Sequence, residues 1–257
     1  MQHDYLDVTE VSGEEVTQEQ VDRICQRYYW AAEYCRDKDV VELACGTGQG
    51  LGYLVAFARS FIAGDISSPM VEKALGQYGK RIDIRVMDAQ DTHIPDASCD
   101  VAILFEAIYY LPDVERFARE SRRIIRPGGY LLIATANKDL YDFNPSPHSV
   151  AYYGVVELGD LFARHGFNCE FFGGTSVESV TLLQRLLRPV KAFAVRFNLM
   201  PNTMVAKNLL KRFIFGRLVP MPAEIEPGYI AYHAPRFLVG GRADMTCKVI
   251  YCAARKS

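Results

Sequence analysis

Three glycines and three acids stand at spacings that suit the binding of a nucleotide-like cofactor. Gly46, Gly48 and Gly50 follow the apolar run Val40–Leu43 at alternate positions. Glycine lets a backbone turn sharply and come close to a ligand. Glu42 precedes the turn, and Asp65 lies 19 positions beyond Gly46. An acid about 20 residues past such a turn is placed to bond a ribose, and a carboxylate accepts from both hydroxyls at once. Asp88 closes the alternating run 82–88. Proton transfer near neutral pH calls first for histidine. His148 lies in a loop rich in Asn, Pro and Ser and is the first candidate for a general base. His233, which follows Tyr229 and Tyr232, is the second, with Glu106 and Tyr153 behind them. His165 precedes Gly166, where a helix end favours a cation, so its reading is structural. None of these histidines has a Cys or His neighbour at metal-ligand spacing, so no metal is expected.

These residues need strands to carry them and helices to cover the strands. Beta-branched residues make 40–43 a strand, and the glycine turn leads from it into a helix. Phe61–Asp65 is a second short strand, and Ser67-Ser68-Pro69 opens a helix with proline in its first turn. Val101–Glu106 is almost wholly apolar, as in the buried middle of a parallel sheet. A helix over about 113–125, a turn at Arg126-Pro127-Gly128-Gly129 and a fifth strand over 130–135 follow. Val155 to Gly166 reads as a helix, and 169–172 and 247–252 read as the last two strands. Residues 14–36 carry a helical apolar side.

The turn is not the dinucleotide fingerprint, because Leu51 takes the place of its third glycine, and there is no phosphate-cradling P-loop. The run VVELACGTGQG resembles motif I of the class I S-adenosylmethionine (SAM)-dependent methyltransferases, and the resemblance extends over about residues 38–137. It implies an α/β fold: a Rossmann-like, seven-stranded, mostly parallel sheet with an antiparallel edge hairpin, here with a helical insertion. It implies SAM as cofactor and S-adenosylhomocysteine as its product. Asp88 would bond the adenine amino group, with Ala89, Ile66 and Met70 around the ring. Tyr28 or Tyr29, on an N-terminal cap helix, would touch the methionine end. Ala44, Gly46 and Gly48 of the turn, Glu42 and Asp65, Gln90 beside Asp88, and Phe105 and Glu106 after the fourth strand complete the expected cofactor set. Methyl transfer from a sulfonium needs the acceptor held close and in line, and a base only when the acceptor starts protonated.

The resemblance divides the chain into a cap helix (1–36), a core (37–174 and 245–257) and an insertion (175–244). Seventy residues are too many for a structureless loop, and apolar side chains recur there at helical spacing. From Glu178 to Glu224 eight bases occur without one acid between them, so the rest of the chain carries −10 against −2 overall. A solvated lid, a lid holding an anionic acceptor, and a peripheral membrane contact through 180–219 all remain open. No [DN]-P-P-[YF] follows the fourth strand, which leans towards small molecules. The expected function is methyl transfer to a hydroxyl or amine of a sugar, lipid-linked glycan or secondary metabolite. The alternative is a non-catalytic SAM-binding or membrane-associated partner protein. A nucleotide-dependent oxidoreductase is disfavoured by Leu51.

Composition sets the remaining bounds. With 49% hydrophobic and 23% charged residues, the chain is ordinary globular protein. A net charge of −2 predicts no attraction to nucleic acid. No run of 18 apolar residues exists, and the polar start is unlike a signal peptide. Seven cysteines without a C-x-x-C suit a reduced, cytoplasmic chain.

Overall fold

The computed structural model describes residues 11–177 and 218–257. Five helices and ten strands are described. They run β1 (Glu15–Val16), α1 (Gln18–Cys35), β2 (Asp39–Leu43), α2 (Leu51–Val55), β3 (Ser60–Asp65), α3 (Ser68–Tyr78), β4 (Asp83–Val86), β5 (Cys99–Phe105), α4 (Val114–Ile124), β6 (Ile125–Ala136), α5 (Val155–Arg164), β7 (Phe167–Ser176), β8 (Val219–Pro220), β9 (Arg236–Leu238) and β10 (Cys247–Lys256). The main sheet has the order β4-β3-β2-β5-β6-β10-β7-β9. Its first five strands are parallel, and β10 lies antiparallel between β6 and β7.

Alternation within the strands sorts side chains between two faces. On β5, Val101, Ile103 and Phe105 meet α1, while Ala102 and Leu104 meet α4 and α5. The sole tryptophan, Trp30 of α1, stacks on Tyr251 of β10 with ring centroids 5.0 Å apart. A capping box closes the start of α1: Gln20 N donates to Thr17 Oγ1, and Thr17 N to Gln20 Oε1.

Three details differ from expectation. The main sheet has eight strands rather than seven, because β9 pairs antiparallel with β7 and covers what would otherwise be an open edge. The segment 126–129 is not a free turn. It is carried within β6 as a bulge, so that Cys99 pairs with Ile125 but Val101 with Tyr130. Of the insertion, 175–177 and 218–244 are described; the first carries the end of β7, and the second contains β8 and β9 and no α-helix. Pro220, Pro222, Pro227 and Pro235 lack the N–H donors that a helix needs. The basic run and the apolar series from Leu182 onward fall largely on 178–217, outside the described residues.

The returning chain straps the glycine-turn side of the fold. Ile225 N donates to Gln49 O at 2.7 Å, Gln77 Nε2 to Ala223 O at 2.8 Å, and Tyr29 Oη to Glu226 O at 3.0 Å. Among the described residues no helix is long and apolar enough to cross a membrane.

Candidate active site

The carboxyl ends of β2, β3 and β5 converge on a cleft of about 420 Å³, roofed by α1. Ligands bind there in open α/β sheets. Ala44, Gly46, Asp65, Ile66, Met70, Asp88, Ala89, Gln90, Phe105, Glu106 and Tyr28 all line it, so eleven residues from distant parts of the sequence are brought together.

The glycine turn and the second acid are locked to each other. Gly46 N donates to Asp65 Oδ2 at 2.9 Å, and Ser67 N donates to Asp65 Oδ1 at 2.8 Å. Each carboxylate oxygen keeps a further lone pair. Burial pushes the Asp65 carboxyl up, and the two amide bonds oppose that rise. Gln90 is held likewise: its N donates to Asp88 Oδ1 at 2.8 Å, and its Oε1 accepts from Asp113 N at 2.8 Å.

Glu42 and Gly48 stand behind this lining rather than in it. Glu42 is 1% exposed and accepts from Tyr28 Oη at 2.5 Å. Burial pushes its carboxyl up to about 7, against the opposing pull of the Tyr28 bond and of Arg27. Gly48 has φ +87°, and a Cβ there would meet Leu51 and Tyr78 at 3.0–3.1 Å. Gly50 answers to Tyr28, whose ring lies 2.2 Å from where a Cβ would stand.

At the other end of the cleft, Glu106 follows β5 with φ +51°, and Ala44 follows β2 with φ +54°. Left-handed non-glycine residues are costly and gather at functional sites. Glu106 Oε2 accepts from Tyr109 Oη at 3.1 Å, and its Oε1 faces Arg27 at 3.8 Å. Arg23 and Arg27 line the cleft and were missed by sequence reasoning. The signal was present, because Gln20, Arg23, Ile24 and Arg27 share one helical face. Tyr109 and Tyr110, in the 3₁₀ turn Ile108–Tyr110, also line the cleft.

The histidines are elsewhere. His148 is exposed in the loop after β6, which folds back onto the Tyr109 backbone through Val150 N. His233 lines a separate cleft on the far side of α1. Neither is brought to the cofactor residues. Tyr29 is committed to Glu226, and His165 Nε2 meets Glu115 at 2.5 Å. Among the described residues no group of His, Cys, Asp and Glu could hold a metal.

The lining fits SAM chemically. Asp65 offers acceptors to a ribose, and Ile66, Met70 and Ala89 offer apolar surface to a flat ring beside the Asp88 carboxylate. Arginines face the opposite end, where an amino-acid carboxylate needs a cation.

Residues 41–133 match the methyltransferase domain model of the Methyltransf_11 family. A probable SAM-dependent methyltransferase of Mycolicibacterium smegmatis is 33% identical over 147 residues, covering 56% of this chain and 57% of that protein. The 27-O-demethylrifamycin SV methyltransferase of Amycolatopsis mediterranei is 29% identical over 139 residues, covering 52% of this chain and 50% of its own. The chain thus spans about half the length of the curated relatives it matches. The solved SAM-dependent methyltransferase of Mesorhizobium loti shares the fold, with a TM-score of 0.54 at 17% identity over 92% of this chain and all of that one. The glycine turn and the acids ranged along the carboxyl ends of the sheet fall in or beside the matched stretch, which makes residues 41–133 a methyltransferase domain similar to those of SAM-dependent methyltransferases.

Proposed function

We propose that this chain is an enzyme that transfers a methyl group from SAM to a hydroxyl of a small-molecule or lipid-linked acceptor. When bound, SAM supplies an electrophilic methyl on a sulfonium that needs no activation by the protein. Asp65 and Asp88 would hold its nucleoside, and Arg23 and Arg27 would face its carboxylate.

One observation carries the acceptor reading. Glu106 lines the cleft at the end opposite Asp88, with its carboxylate steadied by Tyr109 Oη and Arg27. A side chain held by two partners keeps one geometry, and orientation is where most of the rate gain in such a transfer arises. A carboxylate there can accept the proton of a hydroxyl, whereas a neutral amine needs no base before it attacks. Glu106 thus takes the role first considered for His148 and His233. The name of the Amycolatopsis relative also makes an oxygen the methylated atom in that protein.

The test is an acceptor screen with labelled SAM, run with wild type and Glu106→Gln. Wild type should label a hydroxyl compound, and the variant should bind S-adenosylhomocysteine normally while turning over roughly 10²-fold slower or worse. Normal turnover in Glu106→Gln would remove the role given to this carboxylate. No binding of S-adenosylhomocysteine by wild type would remove the enzyme reading altogether.

A further inference from the structure

Helix α1 is a wall between two clefts. Gln20, Arg23, Ile24 and Arg27 face the cofactor cleft, while Glu19, Asp22 and Gln26 face a second one of about 680 Å³. The second cleft lies at the same end of the sheet. It is floored by the end of β7 and the start of β10, and β10 pairs there with Ala136, which lines the first cleft. Its roof is the segment 230–236, fastened by Gln26, which donates from Nε2 to Ala231 O at 2.7 Å and accepts His233 N at 2.9 Å.

The described polar groups of this cleft are nearly neutral as a set. Glu19 is paired with Lys248 at 2.7 Å and Arg236 with Asp244 at 3.4 Å, leaving Asp22 with one bond, from Gln18. Tyr251 is the informative residue. It is 2% exposed and held flat by its stack on Trp30, and its hydroxyl has no hydrogen-bond partner among the described residues. Tyr251 nonetheless lines the cleft. The hydroxyl is reachable because Gly174 beside it has no side chain, and a Cβ there would stand 2.9 Å from Tyr251 Oη. Thr175 next to it has φ +52°, a strained conformation for a β-branched residue.

We infer that this second cleft binds a neutral, polyhydroxylated part of the acceptor, as in a glycan. A phenol, one spare carboxylate, an imidazole and a threonine hydroxyl form a set that exchanges hydrogen bonds with many hydroxyls without demanding charge. The volume lies within the usual range of roughly 300–1,000 Å³ for ligand sites. In naming the acceptor class this rests on the methyl-transfer reading, but the binding itself does not.

Trp30, stacked on Tyr251, reports the cleft by its own fluorescence. The full chain, free of SAM, is titrated with maltotetraose, cellotetraose and mannotetraose, and with tetragalacturonate as a charged control. At least one neutral tetrasaccharide should give a saturable change, with tetragalacturonate at least ~10-fold weaker, since among the described residues the cleft has no spare cation to meet a carboxylate. Tyr251→Phe keeps the stack and the core, and should weaken that binding by ~10-fold, the effect of losing one buried hydrogen bond. Asp22→Asn, on the helix surface, should weaken it by a similar factor. No saturable change with any neutral tetrasaccharide overturns the inference, as does unchanged affinity in both variants. S-adenosylhomocysteine binding by calorimetry is read in parallel. Its failure beside intact sugar binding would remove the methyl-transfer reading and leave the cleft standing, and the reverse result would remove the cleft alone.

Discussion

The Tyr28 hydroxyl donates to the buried Glu42 carboxylate at 2.5 Å, tying α1 to the strand that enters the glycine turn. The bond fixes the roof of the cofactor cleft to its floor. It also makes that connection sensitive to pH. Burial pushes the Glu42 carboxyl up to about 7 from 4.5, so the folded chain holds this proton more tightly than the unfolded chain does. Its contribution to stability is full below about pH 4.5 and is lost as pH rises through about 7. Glu42→Gln removes the titration. Relative to wild type, the variant should gain roughly 3 kcal/mol between about pH 4.5 and about pH 8. Urea unfolding across that range is the measurement, and a constant difference between the two proteins would refute the shift.

Two glycines near this bond should respond differently to alanine. At Gly50 a Cβ would stand 2.2 Å from the ring of buried Tyr28, which cannot retreat without leaving Glu42. Overpacking of that kind costs about 1–3 kcal/mol. At Gly52 the obstacle is Glu224 Oε1, the far end of a flexible side chain whose ion pair with Arg81 is largely exposed. Exposed pairs are worth about 0–1 kcal/mol, and alanine gains up to about 1 kcal/mol over glycine within a helix. Gly52→Ala should therefore be near neutral while Gly50→Ala is clearly destabilised. Equal denaturation midpoints for the two variants would contradict this.

Most of the sheet was legible because each strand is short, apolar and punctuated. Phe61–Asp65 and Val101–Phe105 end where their sequences change character, and the acids at those ends fall on the cleft. What was not legible depends on contacts across the fold. Nothing local in Arg236–Leu238 marks an edge strand; it pairs because β7 offers it an open edge. The use of Gly50 is visible only once Tyr28, 22 positions earlier, lies across it. The histidines misled for a related reason. Their chemistry is local, but their distance from the cleft is set by how the loop after β6 and the strap over α1 return to the core.

Asp65 has two duties, and substitutions can separate them. It accepts Gly46 N and Ser67 N, which shape the turn, and it has lone pairs left for a ribose. Asp65→Ala should weaken S-adenosylhomocysteine binding by about 1–3 kcal/mol and also lower stability, because two buried amides lose their acceptor. Asp65→Asn keeps one oxygen acceptor and should lose affinity with a smaller stability cost. Calorimetry and thermal unfolding read the two effects. Unchanged affinity in Asp65→Ala would show that the carboxylate serves the turn alone.

Tyr109 and Glu106 supply the strictest check on the acceptor end of the cleft. Tyr109 donates to Glu106 at 3.1 Å, and its ring is wedged between Tyr110 and Tyr152, with centroids 4.6 Å and 4.8 Å away. If Glu106 takes the acceptor's proton, Tyr109 acts only by orienting it. Tyr109→Phe keeps the ring packing and loses the donor, so it should slow turnover by about 10-fold with a small change in stability. Glu106→Gln should cost roughly 10²-fold or more. The double variant should be no slower than Glu106→Gln alone, because there is no longer a carboxylate to orient. Multiplicative losses in the double variant would instead make Tyr109 an independent contact to the acceptor. Single-turnover rates at saturating SAM decide between the two.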